Sequence, residues 1–255
     1  MNTQTPKIAL ITGGSRGLGR NTAESAARKG IDSVFTYNSR ADEARKVVAA
    51  IQAEGRQAVA LQLDTGAVGT FAPFAEKLKH TLRDTWGRDR FDFLINNAGT
   101  SHHNPFEKTT EEEMDVLYNV HFKGVFLLTQ KLLPLINDGG RIINLSSGLT
   151  RIIFPGSAAY GSMKGAIEVL TKYMAKELGP RRITVNVVAP GAIATDFSGG
   201  MVRDNPEINK RVADMTTLGR VGLADDIGPM IASLLSDDNR WVNAQRIEAS
   251  GGMSI

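Results

Sequence analysis

Two hydrophobic rhythms take turns along this chain. Short apolar runs rich in β-branched residues, at Lys7–Thr12, Ser33–Tyr37, Gln57–Leu63, Phe91–Ile95, Arg141–Leu145, Ile183–Ala189 and near 245–249, read as buried strands. Between them, apolar residues recur at helical spacing. This predicts helices over Gly17–Lys29, with Ala23, Ala26 and Ala27 as a small buried face, over 40–54 (Ala44, Val47, Val48, Ile51), around 68–86, and from Thr110 to about Leu135. Further helices fall at 157–178, stopped by Gly179-Pro180, and at 224–235. Residues 192–222, rich in glycine and polar positions, break the pattern, with one short helical stretch near 206–215. Alternating strand and helix, without repeat, low-complexity stretch or linker, predict one α/β domain over residues 1–255 with a parallel, doubly wound sheet.

Composition excludes several classes of function. A hydrophobic fraction of 42% and a charged fraction of 22% over 255 residues are those of a soluble globular protein with a large core. The net charge of +3 is scattered; Arg88-Asp89-Arg90 and Arg181-Arg182 are too short and mixed to track a nucleic acid. Absence of cysteine rules out disulfides, thiolate metal sites and cysteine nucleophiles. The opening Met-Asn-Thr-Gln-Thr-Pro-Lys lacks the apolar core of a signal peptide, and no apolar run approaches a membrane span. A cytoplasmic chain with no membrane partner is the expectation.

Candidate chemistry gathers at strand ends, where an open α/β sheet presents its ligand crevice. Gly13, Gly17 and Gly19, set around Ser15, Arg16 and Leu18, follow the first strand and open an alanine-rich helix. Such a turn brings backbone N–H groups and a helix N-terminus to a pyrophosphate. The second strand ends in Thr36-Tyr37-Asn38-Ser39-Arg40, with no acid for a ribose 2′-hydroxyl; Asp32 and Asp42 stand too far along the chain on either side. Arg16 and Arg40 are suited to a 2′-phosphate, with Asn38 and Ser39 donating hydrogen bonds. NADP(H) is therefore preferred, with NAD(H) the alternative.

Residues 140–164 carry the reactive groups. Tyr160 and Lys164 are four apart on one predicted helix, sharing a face about 6 Å apart along the axis. Ser147 lies just past the end of the preceding strand. A free phenol has a pKa near about 10, too high for ready proton exchange at neutral pH. An ammonium alongside favours the phenolate and is expected to lower that value. With a serine hydroxyl to hold the oxygen, the group makes a proton donor for a carbonyl receiving hydride.

Taken in order, Thr12-Gly13-x-x-x-Gly17-x-Gly19, Asn96-Asn97-Ala98-Gly99, Ser147 with Tyr160-x-x-x-Lys164, and Pro190-Gly191 resemble the short-chain dehydrogenase/reductase family, from about residue 6 to Gly252. The resemblance implies a single-domain Rossmann fold with a seven-stranded parallel sheet, assembled as a homotetramer or dimer. It also implies Tyr160 as general acid/base, Lys164 as the group that lowers its pKa and holds the nicotinamide ribose, and Ser147, not Ser146, as the holder of the substrate oxygen. Asn119 matches the family's fourth active-site residue, which helps carry a proton-relay water. Asp64 and Thr65 match adenine contacts, Asn97, Ala98 and Gly99 the ribose wall, and Pro190, Gly191, Ile193 and Thr195 the segment that grips the carboxamide. Two departures stand out. Tyr37 replaces the acid of NAD-using members, and Ala244 stands where many have glycine, read here as a packing change.

The substrate pocket is expected between the loop after Gly99, the 148–156 loop and a lid at 192–222, using His102, His103, Leu149, Ile152, Ile153, Phe154, Phe197 and Met201. That largely apolar set suits a hydrophobic ketone or alcohol. Adjacent histidines with no acid or third histidine nearby predict no metal site. No arginine cluster for an acyl-carrier partner stands out, with Arg141 and Arg151 as the candidates. The expected activity is NADPH-dependent reduction of a ketone or aldehyde to an alcohol, reversibly. An NAD-dependent alcohol or sugar dehydrogenase and a non-catalytic nicotinamide-binding protein are the alternatives.

Overall fold

The computed structural model describes residues 6–255. Residues 1–5, most of the stretch read for a targeting signal and the start of the expected domain, lie outside the described residues. The apolar runs extend because branched side chains pack well on a pleated surface. They become β1 (Ile8–Ile11), β2 (Asp32–Tyr37), β3 (Ala58–Gln62), β4 (Phe91–Asn96), β5 (Ile136–Leu145), β6 (Thr184–Pro190) and β7 (Arg246–Ala249). All pair in parallel in one sheet, in the order β3-β2-β1-β4-β5-β6-β7. The helices are α1 (Gly17–Arg28), α2 (Ala41–Ala53), α3 (Phe71–Trp86), α4 (Glu111–Tyr118), α5 (Gly124–Leu132), α6 (Ala158–Leu178), α7 (Met201–Asp204), α8 (Pro206–Asp214) and α9 (Ala224–Leu234).

Strand residues alternate between the two faces of the sheet. Ile8 and Leu10 join one core with Phe74 and Leu78 of α3, Leu128 of α5 and Ala175 of α6. Ala9 and Ile11 join the other with Ala23 of α1, Val47 of α2 and Ile231 of α9. From β1 the chain winds outward to β3, then crosses back to β4 on the other side of β1. That reversal opens a crevice at the strands' C-terminal ends. No described helix is long and apolar enough to cross a membrane.

Three local features depart from the sequence pattern. The long helix expected from Thr110 is α4, a π turn at Asn119–Lys123, then α5. Here the Gly124 N–H donates to the Asn119 carbonyl, and a Cβ on Gly124 would stand 2.1 Å from the Thr65 carbonyl oxygen. Close approach to the Asp64-Thr65 turn thus coincides with the bulge. β5 begins at Ile136, not Arg141, because the register jumps from Phe91↔Ile136 to Phe93↔Arg141. The segment expected as a lid contains the unforeseen α7, entered through Ser198, Gly199 and Gly200 at φ of 54°, 68° and 78°. Its base is closed by bonds from Ala194 N–H to the Gly222 carbonyl (2.8 Å) and from Gly222 N–H to that of Ala192 (3.0 Å).

One further reading is extended and another corrected. Ala244 adopts φ +58°, so its departure from glycine is a matter of backbone conformation as well as packing. Arg141 is buried and donates to the Leu235 carbonyl and to Asp237 (3.0 Å), which removes it from any acyl-carrier surface. Arg151 is likewise engaged, with Glu248 (3.0 Å) and the Met253 carbonyl (2.7 Å).

Arg151 ends a polar chain running behind the catalytic helix. Glu168 on α6 accepts from Ser146 (2.7 Å), Thr150 (2.8 Å) and Arg246 (2.8 Å); Arg246 reaches Glu248 (2.9 Å), which meets Arg151. The chain ties α6, the turn after β5, β7 and the C-terminal segment together. Arg151, chiefly, holds the Glu248 carboxyl down at about 2, below its usual 4.5. A depressed carboxyl stabilises the fold fully above its unfolded pKa and loses that effect as pH falls through the folded one. Glu248→Gln should therefore lower the unfolding midpoint at pH 7 by about 3 °C. The gap should narrow steadily from about pH 4.5 toward 2, as followed by circular dichroism.

Candidate active site

The turn after β1 is built around backbone proximity. Gly13 takes φ +67°, and a Cβ there would stand 2.9 Å from Cα of Ala98. A Cβ on Gly19 would lie 2.2 Å from the Gly13 carbonyl oxygen, so α1 packs directly on the turn. Above Gly17 the nearest atom is Thr195 Cβ at 3.8 Å, which leaves that backbone facing the groove. No side chain caps the start of α1 and no acid lies in its first turn, so its N–H groups are available to an anion.

Threonine and asparagine side chains lock this turn to the end of β4. Thr12 Oγ1 accepts from the N–H groups of Asn97 (3.0 Å) and Ala98 (2.9 Å). Asn97 Nδ2 donates to the carbonyls of Thr12 (2.9 Å) and Gly13 (3.2 Å). Asn97 therefore shapes the groove as well as lining it. Arg16 and Arg40 are exposed at its edge, and neither forms a salt bridge among the described residues. Asp32 is turned away, accepting from Gln57 N–H (3.1 Å) and Trp86 Nε1 (2.9 Å). A phosphate cradle, free arginines and no carboxylate at the end of β2 fit a dinucleotide carrying a 2′-phosphate.

At the other end of the groove, α6 presents Tyr160 and Lys164, which are 8% and 5% exposed. Lys164 Nζ donates to the Leu145 carbonyl at 2.7 Å and lies 5.6 Å from the centre of the Tyr160 ring. Ser147 Oγ accepts from Leu149 N–H (3.1 Å), leaving its own proton to give, whereas Ser146 is committed to Glu168. Burial pushes the Lys164 amine down to about 7. Burial also pushes the Tyr160 phenol well above its ordinary value, with the Ser147 hydroxyl offsetting part of the rise. The sequence expectation was the reverse. Desolvation of the phenol outweighs the Ser147 hydrogen bond, so the protein groups alone keep the proton on Tyr160.

One cavity of about 500 Å³ connects the two ends. Gly13, Ser15, Arg16, Gly17, Leu18, Tyr37, Asn38, Ser39, Arg40, Asp64, Thr65, Asn97, Ala98, Gly99, Pro190, Gly191, Ile193 and Thr195 line it, as do Ser147, Tyr160 and Lys164. Gly19 does not, being spent on helix packing. Asn119 does not line it either; it starts the π turn, while its neighbours Val120 and His121 face the cavity. On the substrate side His103, Leu149, Ile152, Phe154, Phe197 and Met201 line the wall. Ile153 is instead 82% exposed, and His102 points to Glu113, 3.9 Å away. That acid was not anticipated, but among the described residues no three His, Asp or Glu side chains group as metal ligands.

Sequence reasoning missed Val202, Ile208, Val212 and Met253, which complete the apolar wall, and it missed His121. His121 is 1% exposed, and its ring stands edge-on to Tyr160 at 5.1 Å. A histidine between Val120 and Phe122 was the only trace of it in the chain.

Comparison with known proteins agrees with this geometry. Residues 13–254 match the family model described as Enoyl-(Acyl carrier protein) reductase. The promiscuous reductase LugOII, which catalyses keto-reduction at C1 during lugdunomycin biosynthesis, is 40% identical, with a TM-score of 0.93 over 98% of this chain and 99% of its own. The C-6 ketoreductase LanV with bound NADP and rabelomycin is 36% identical, with a TM-score of 0.89 over 98% and 97%. A hydroxynaphthalene reductase-like protein of Metarhizium brunneum is 35% identical over 258 residues, 96% of this chain and 94% of that one. Likeness of this extent, carried by nearly the full length of each partner, decides the matter: the chain belongs to the short-chain dehydrogenase/reductase family, as an oxidoreductase using NAD(P) on CH–OH groups.

Proposed function

We propose that this enzyme uses NADPH to reduce a ketone borne on a fused aromatic ring system, with Tyr160 as the general acid. The observation that carries the reading is the convergence of Ser147, Tyr160 and Lys164 where the phosphate-binding groove meets an apolar chamber. The chamber's walls include Ile152, Phe154, Phe197, Met201 and Val212, which suit a flat apolar substrate. Hydroxynaphthalene in one relative's name and the ketoreductase titles of two others support that class. The free Arg16 and Arg40, with no acid at Tyr37, favour NADPH over NADH.

When bound, the nicotinamide supplies hydride to the carbonyl carbon. Ser147 donates a hydrogen bond to the carbonyl oxygen and fixes it beside the phenol. Tyr160 then gives its proton to that oxygen as negative charge develops. Lys164, with an amine near 7, returns a proton to the phenolate at neutral pH. Asn119, which does not line the cavity, acts only through the π turn, its carbonyl accepting from Gly124 N–H. The segment 192–222 serves as the lid, and the exposed apolar side chains Val169 and Tyr173 of α6 and Phe126 of α5 would be covered in a homotetramer or dimer. A cytoplasmic setting belongs to the same proposal.

Tyr160→Phe should cut ketone reduction by roughly 10³-fold while NADPH binding stays within about twofold. Retained turnover in the folded variant would contradict the acid assignment. Arg40→Asp should weaken NADPH roughly tenfold or more and leave NADH nearly unchanged, read as dissociation constants by fluorescence titration. Tighter binding of NADH than NADPH by the wild type would overturn the cofactor preference.

A further inference from the structure

Tyr160 is flanked by two rings of different standing. Phe197 of the lid lies 5.9 Å away at 53° and is 42% exposed. His121 lies 5.1 Å away at 90° and is almost wholly buried. One contact belongs to a surface segment, the other to the helix bulge beneath the cavity.

A histidine is an expensive choice for a buried position unless it meets two demands at once. Its Nε2 lies 2.6 Å from the Thr100 carbonyl oxygen and 3.3 Å from the Thr100 N–H; with the ring hydrogen on Nε2 the histidine donates to the closer group, the carbonyl. Nδ1 is left as a buried lone pair without a partner among the described residues. Burial, with Lys164 nearby, holds the imidazole well below its usual 6.5, so it stays neutral. Gly99 leaves room for it, since a Cβ there would come within 2.8 Å of Cε1. Phenylalanine would supply the edge but orphan the Thr100 carbonyl, and glutamine would supply the donor but no edge.

We propose that His121 is a positioning residue for Tyr160: its ring, oriented by the Thr100 carbonyl, fixes the plane of the phenol and seals it from water on the side of the π turn. This rests on the reading of Tyr160 as the proton donor. The other ionisable groups facing the phenol are Lys164 on its own helix, His103 across the cavity and Asp196 of the lid, which is paired with Arg203. None of these supplies an edge contact of this kind.

Oxidation of the alcohol product needs the phenolate, so its rate rises with pH through the Tyr160 pKa. In His121→Gln, water gains access to the phenol, and the midpoint of that rise should fall by about one pH unit. Its kcat for reduction should drop roughly tenfold, with KM for NADPH within about twofold. His121→Phe, which keeps a ring against the phenol but loses the Thr100 anchor, should keep the midpoint close to wild type and recover only part of kcat. The inference is overturned if His121→Gln keeps the wild-type midpoint and kcat, or if His121→Phe shifts as far as His121→Gln. Tyrosinate absorbance of each variant, taken as a difference from its Tyr160→Phe counterpart, reads the same ionisation without any substrate. A wild type that reduces no ketone would sink the functional reading, while this titration would still decide the role of His121.

Discussion

Burial of the reacting groups at the end of β5 governs the rest of the site. An ammonium taken out of water costs several kcal/mol unless it is paired or gives up its proton. Lys164 has no carboxylate partner among the described residues, only the Leu145 carbonyl, and its amine moves down to about 7. The same desolvation moves Tyr160 the other way and keeps its hydroxyl protonated. Opposite shifts of two buried side chains leave a loaded acid beside an amine able to exchange protons near neutrality. Those are the conditions that reduction of a carbonyl requires.

Such an arrangement persists only if its walls cannot relax. The polar chain from Glu168 through Arg246 and Glu248 to Arg151 fixes the turn bearing Ser147 to β7 and to the segment carrying Met253. On the cofactor side, Thr12 and Asn97 bind the ends of β1 and β4 into one surface. The substrate wall draws much of its lining from α7, α8 and the residues before them, apart from the reacting groups. A family can thus keep one chemistry and change its substrates by altering a single excursion of chain.

Much of this is legible in the sequence. The glycines at 13, 17 and 19, the end of β2 without an acid, and Tyr160 with Lys164 each declare a local geometry through spacing or charge alone. What is not legible depends on distance through space. Nothing in the run from Thr110 to Leu135 announces a π turn, because one wider turn barely disturbs apolar periodicity. The direction of the Tyr160 shift was misread because spacing gives the nearness of Lys164 but not the depth of either group. His121 escaped notice for the same reason. Asn119, read from the family pattern, sits in the bulge that turns its neighbours toward the cavity.

The ionisation of Lys164 itself tests this account most directly. Nitrogen NMR of ¹⁵N-lysine-labelled protein, with Lys164→Met to assign the signal, follows each of the twelve amines through a pH titration. One of them, absent in the variant, should titrate at about 7 while the ordinary value is 10.5. If the Lys164 signal titrates near its ordinary 10.5, the poised pair described above does not exist.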